Sequence, residues 1–190
     1  PSSSYTPAGL QCKPYTLPLP RFKFEPQPNT TLAALYCRTD SNWDGLEVCR
    51  PVAGLLPASE AEVKYAVRSA AKAGEQLKVV GAGHSFSGIQ LTDGNLTNPG
   101  GRVMSLDLLS GITDVLFLDD GSGDAEVTAL AGTRLRDLNS ALEARGLAFE
   151  NLGACAAQSL AGAVATATHG TGRELGSIST QLRGLRVVDA

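Results

Sequence analysis

A chain of 190 residues with 43% hydrophobic and 18% charged side chains holds enough apolar material for a real core and is not a disordered composition. Sixteen Lys and Arg stand against 19 Asp and Glu, a net charge of -3, and no segment gathers five or six basic residues, so the electrostatic footprint of a nucleic-acid binder is missing. No apolar run approaches the ~18 residues that a membrane span needs.

The chain opens on Pro1 instead of Met, with no charged start and apolar signal core behind it, which suggests a removed leader or an internal piece of a longer chain. Seven of the ten prolines fall within residues 1–30, where neither structural period is sustained, so residues 1–45 read as an extended arm. Three of the four cysteines (Cys12, Cys37, Cys49) lie in or just after it, as does the sequon at Asn29; a second sequon begins at Asn95. Cys37 and Cys49 flank the turn-forming stretch DSNWDG, and a disulfide between them would staple a segment poor in core residues. That favours a secreted or secretory-pathway protein over the alternative of free, partly buried thiols in the cytosol. Cys155, in a run of small residues, reads as packed.

Regular structure is expected from about residue 46. Val48 to Leu56 reads as a strand closed by Pro57. Ser59 opens a helix, with Glu62 completing a capping-box signature. Val63, Ala66, Val67 and Ala70 form one apolar stripe, and Gly74 supplies the stop. Leu77 to Val80 is a short strand running into GAGHSFSG. After a loop over Asp93 to Gly101, strands are predicted at Val103–Leu108, Thr113–Leu118 and Glu126–Ala131, with DDGSGD as the turn between the last two. Thr133 to Arg145 reads as a second helix with Leu135, Leu138 and Leu142 inward. Gly153 to Gly172 is a run of small residues, and Leu182 to Val188 reads as a final strand without a following partner, taken as a sign of truncation. Helices alternating with strands, then strands clustering, argue an α+β domain.

Both histidines lie in glycine-rich segments, His84 in GAGHSFSG and His169 in ATATHGTG. Glycine lets the backbone approach a ligand, and successive N–H groups in such turns form an anion-binding concavity. The bland alternative is a tight strand-exit turn with a hydrogen-bonded histidine. A dinucleotide fingerprint fails because Phe86 stands where a third glycine is needed. A serine hydrolase with Ser85 as nucleophile and His169 as base has an allowed chain order, but Ser87 replaces the last glycine of G-x-S-x-G. A cofactor-free binding module is a further alternative. The third site reading is a flavin: residues 81–85 cradle a diphosphate, and the small residues of QSLAGAVATATHGTG let a flat ring lie against the main chain. On that reading the two glycine-lined bends close around one cofactor.

The blocks LKVVGAGHSFSGIQLTDG, VMSLDLL, VTALAGTRLRDLNSALEARGL, NLGACAAQSLAGAVATATHGTG and LRGLRVVDA, in this order, resemble the FAD-linked oxidases of the vanillyl-alcohol-oxidase type, which carry a PCMH-type FAD-binding domain, and within them the sugar-1,4-lactone and alditol oxidases. The resemblance covers about Cys49 to Ala190. It implies the N-terminal part of an α+β PCMH-type domain made of two α/β subdomains over residues 46–190, incomplete at its C-terminal end, with FAD as cofactor and no metal. It implies covalent flavin attachment at His84 and cofactor contacts from Val80, Gly81, Ala82, Gly83, His84 and Ser85. The second block implies contacts from Ser159, Gly162, Thr166, Thr168, His169 and Gly170. The implied reaction is oxidation of a CH–OH group of a polyol or sugar lactone, with the substrate domain supplied from outside these residues; the fragment alone is expected to be inactive. Catalytic residues beyond the flavin tether are not identifiable. A second flavin bond at Cys155 is disfavoured by its surroundings, and the Pro-rich arm has no counterpart in the family.

Overall fold

The computed structural model describes residues 33–35, 40–41, 48–49, 51–94 and 100–189. Cys12, Cys37, both sequon asparagines and residues 1–30 of the arm lie outside the described residues. The chain forms two units, one built mainly from residues up to Met104 and one from Ser105 to Asp189 together with Val80–Ala82.

The first unit contains a four-stranded sheet in the order β1-β4-β6-β5, from β1 (Ala33–Leu35), β4 (Ala53–Leu56), β5 (Leu77–Val80) and β6 (Arg102–Ser105). β1 runs antiparallel to β4, and β4 runs parallel to β6 with Leu55 opposite Met104. A separate hairpin pairs β2 (Asp40–Ser41) with β3 (Val48–Cys49). The single strand expected over Val48–Leu56 is therefore two. Pro51 lies between them and has no N–H to give to a ladder. Asp40 stands opposite Cys49, whose buried thiol is free, and Cys37, the other half of the expected staple, lies outside the described residues.

The helix α1 (Glu60–Ala73) forms where its local signals place it. Ser59 Oγ accepts the N–H of Glu62 at 3.2 Å, and Glu62 Oε2 accepts the N–H of Ala58 at 2.7 Å, one residue upstream of the usual capping-box partner. A cap of this kind contributes about 1 kcal/mol. Val63, Ala66 and Ala70 are buried on one stripe. Gly74, at φ 64°, ends the helix: its N–H reaches Ala71 O and that of Glu75 reaches Ala70 O, a Schellman closure. Immediately beyond, Glu75 pairs with Arg102 Nε, Arg102 Nη1 donates to Ser69 Oγ at 3.3 Å, and Arg102 N–H donates to Gln76 O at 2.7 Å. One buried guanidinium thus fastens the end of α1 to β6.

In the second unit β7 (Ile112–Phe117) and β8 (Ala125–Ala129) pair antiparallel, with a bulge between Ile112 and Asp114. The DDGSGD turn joins them, Leu118 N–H donating to Asp124 O at 2.9 Å. α2 (Leu135–Glu143) buries Leu135, Leu138 and Leu142 as its spacing predicts, at about 1.5–3 kcal/mol per side chain. It starts two residues later than expected because the Thr133 hydroxyl is committed elsewhere, to Leu130 O at 2.6 Å and Gly111 N at 2.9 Å.

Two expectations fail in this unit. The small-residue run contains a helix, α3 (Leu160–Ala165), which forms because Ala163 is fully buried against Leu135 and Ile178, with Phe149, Leu152, Leu160 and Val164 around them. Residues 182–188 form no strand: no ladder among the described residues takes them up, and Leu185 and Val187 are 71% and 76% exposed. Alternating apolar side chains predict a strand only where a neighbour supplies hydrogen bonds.

Candidate functional site

In the first unit, β5 delivers the chain into the histidine loop. Gly83 takes φ 70°, a left-handed turn that leaves the half-buried His84 just past the bend. Ser85 Oγ and Ser87 Oγ lie 3.0 Å apart. A single 3-10 turn, Gly88–Gln90, follows, so neither the dinucleotide fold nor the nucleophile elbow finds the helix it requires. Gln90 and Thr92 are buried behind this loop.

In the second unit, the start of the same loop (Val80, Gly81, Ala82) meets the start of the second glycine-rich block. A β-carbon at Gly81 would overlap Ser159 Oγ, and one at Gly162 would lie 3.0 Å from that atom. Ser159 is buried at the head of α3 and is bridged to Arg134, whose Nη1 reaches Ala157 O at 3.4 Å and whose Nη2 holds Asp107 Oδ1 at 2.6 Å. Past α3, Thr166 Oγ1 donates to Gly162 O at 2.9 Å and lies 3.3 Å from Thr168 Oγ1. Gln158 Nε2 donates to Thr168 Oγ1 at 3.2 Å. Between the threonines Ala167 sits at φ 50°, the sole non-glycine residue in the left-handed region among the described residues. Such an outlier costs on the order of 1–3 kcal/mol and marks a turn that its surroundings over-determine.

The exposed His169 follows, its Nδ1 2.7 Å from Gly170 O. The backbone N–H groups of His169, Gly170, Thr171 and Gly172 meet no acceptor among the described residues. Such exposed, unclaimed N–H groups are available to the acceptor oxygens of a ligand. Gly170 is required by the protein itself, since a β-carbon there would overlap Asn151 Oδ1 and stand 2.5 Å from Leu152 O; at Gly153 it would lie 2.6 Å from Thr168 Cγ2. Several of these glycines therefore serve internal packing, where the sequence suggested room for a flat ring.

Sequence reasoning missed Gln158, Asn151 and the Asp107–Arg134 pair. Asn151 is buried and donates to Gly176 O at 2.9 Å, holding the turn beyond His169. Among the described residues no group of His, Cys, Asp and Glu could hold a metal, and no helix is long and apolar enough to cross a membrane.

The FAD binding domain family matches residues 51–190. The chain belongs to that family. Its cofactor is FAD, and its domain is of the PCMH type. Over 150 residues it is 41% identical to L-gulono-1,4-lactone dehydrogenase of Mycobacterium tuberculosis, covering 79% of this chain and 32% of the relative. Over 148 residues it is 38% identical to D-arabinono-1,4-lactone oxidase of Eremothecium gossypii, covering 78% and 26%. With L-gulonolactone oxidase of Mus musculus the identity is 33% over 151 residues, covering 78% and 31%. The chain thus spans a third or less of these relatives. Among solved structures, a solvent-stable cholesterol oxidase superposes with a TM-score of 0.62 at 26% identity, covering 76% of this chain and 26% of that one. The PCMH-type fold is the same α+β architecture as the FAD-binding portion of that oxidase. The donors available here, hydroxyls and free backbone N–H groups without a cation in the histidine loop, fit a flavin nucleotide whose diphosphate is met by neutral groups.

Proposed function

We propose that these residues form the FAD-holding part of an oxidoreductase that oxidises a CH–OH group of a sugar lactone or polyol, with His84 bonded covalently to the flavin. The observation that carries the reading is the G-x-G-H-S loop after β5, inside a family match that runs from residue 51 to 190. Bound FAD supplies the hydride acceptor. The chain's own part is to bind and orient. Gly81 to Ser85 hold the diphosphate and His84 anchors the ring, while in the second unit Thr166 and Thr168 present hydroxyls and His169 and Gly170 supply further cofactor contacts. The lactone relatives favour a sugar-lactone substrate, and the substrate-binding half lies outside these residues.

Acid precipitation of the purified natural protein tests this. Yellow colour that stays with the pellet is expected, moving to the supernatant in His84→Ala. Colour released from the wild type overturns the covalent bond, and a colourless protein overturns the flavin reading. The secretory placement now rests on the sequons at Asn29 and Asn95; a mobility shift on deglycosidase treatment is the expected result, and its absence removes the proposal.

A further inference from the structure

We infer that Arg134 is a positioning residue for the flavin: its guanidinium, gripped by Asp107, braces residues 156–159, the short segment from which both glycine-rich blocks take their alignment. The inference rests on the flavin reading and adds to it a residue outside both glycine-rich segments.

Arg134 occupies the N-cap of α2, at φ -74° and ψ 140°, with no side-chain cap bond. That position favours Ser, Thr, Asp or Asn, and a cation there opposes the helix dipole. The helix finds partners for its first donors elsewhere: Leu135 N–H donates to Gln158 O and Arg136 N–H to Ala156 O, both at 2.9 Å. The arginine side chain serves a different contact. Its Nη2 holds Asp107 Oδ1 at 2.6 Å and its Nη1 reaches Ala157 O at 3.4 Å. The planar fork thus ties the loop after β6 to the middle of residues 156–159.

Those four residues are a junction within the second unit. Gln158 Nε2 donates to Thr168 Oγ1 at 3.2 Å, beyond α3. Ser159 heads α3 and packs against Gly81 at the start of the histidine loop. A shift at Ala157 therefore moves the threonine hydroxyls on one side and the entry to the histidine loop on the other. Helix stability is given up at the N-cap, and an ordered junction is gained.

The test uses the full natural protein carrying His84→Ala, so that flavin exchanges freely. FAD binding is read by fluorescence quenching well below the melting temperature, and folding by thermal melts. Arg134→Ser exchanges a partly exposed ion pair for a better N-cap, so the melting temperature should hold or rise. FAD should nevertheless bind about 10-fold more weakly, the loss of one charge-assisted hydrogen bond. Arg134→Lys keeps the charge without the fork and should be as weak as Arg134→Ser. Asp107→Asn, which leaves an acceptor, should lose less. With His84 in place, Arg134→Ser should retain less flavin in the acid pellet and alter the visible circular dichroism of what remains. Unchanged affinity in Arg134→Ser, full recovery in Arg134→Lys, or a loss of affinity matched by a fall in melting temperature overturns the inference alone. A parent protein that binds no flavin overturns the reading beneath it as well.

Discussion

Gly81 and Ser159 touch so closely that no β-carbon fits between them. The contact joins the exit of β5 to the head of α3, across 78 positions of sequence, and it sets where the two glycine-rich blocks begin. Gly81→Ala should cost about 1–3 kcal/mol through overpacking. Adding Ser159→Gly should return most of that loss, since it removes the obstructing hydroxymethyl. Urea denaturation of the single and double variants checks this; an unchanged midpoint in Gly81→Ala refutes the contact.

Arg102 anchors α1 through Glu75 and Ser69 with its own side chain 8% exposed. Arg102→Met strands a partly buried carboxylate, and the fold should lose about 3 kcal/mol. The double variant Arg102→Met with Glu75→Leu should be markedly more stable than the single one. If the two substitutions prove additive in thermal melts, the pair is not coupled.

The Thr133 hydroxyl joins Leu130 and Gly111 in a buried position. Thr133→Val keeps the shape, leaves the Gly111 N–H without its acceptor and should cost about 1–3 kcal/mol. Hydrogen exchange gives a local readout: the Gly111 amide should lose protection, and Thr133→Ser should retain it.

Asp120 titrates below the ordinary aspartate range, because the Ser122 hydroxyl donates to its carboxylate at 2.6 Å and the Ser122 N–H at 2.9 Å. A carboxyl pKa lower in the folded than in the unfolded state adds stability that is complete above the unfolded value and fades as pH falls through the folded one. Ser122→Ala should raise the Asp120 titration midpoint while leaving stability near neutral pH nearly unaltered, Asp120 being fully exposed. Carboxyl 13C titration of both proteins decides the matter.

Local chemistry made much of the fold readable. Ser59, Glu62 and Gly74 announce α1 within one turn of its ends, and β5 falls on Leu77–Val80 as its apolar run predicts. α3 was hidden because nothing in LAGAVA resembles an amphipathic stripe; its helix depends on Ala163 packing against residues 28 positions before it and 15 after. Residues 182–188 misled for the opposite reason, a correct alternation without a neighbouring strand to use it. In the candidate site, two rare imidazoles in glycine-rich surroundings were conspicuous. Gln158 and Asn151 were not, since their roles depend on partners 10 and 25 residues away.

Ala167 lowers the heat resistance that its turn could otherwise have. Its left-handed backbone holds the hydroxyls of Thr166 and Thr168 3.3 Å apart, at a conformational cost that the rest of the fold must absorb. Selection for robustness alone would favour glycine or asparagine there, and selection for bulk is closed off because a β-branched side chain could hardly enter that region. Alanine at this turn therefore spends thermal margin that glycine in the same backbone conformation would keep.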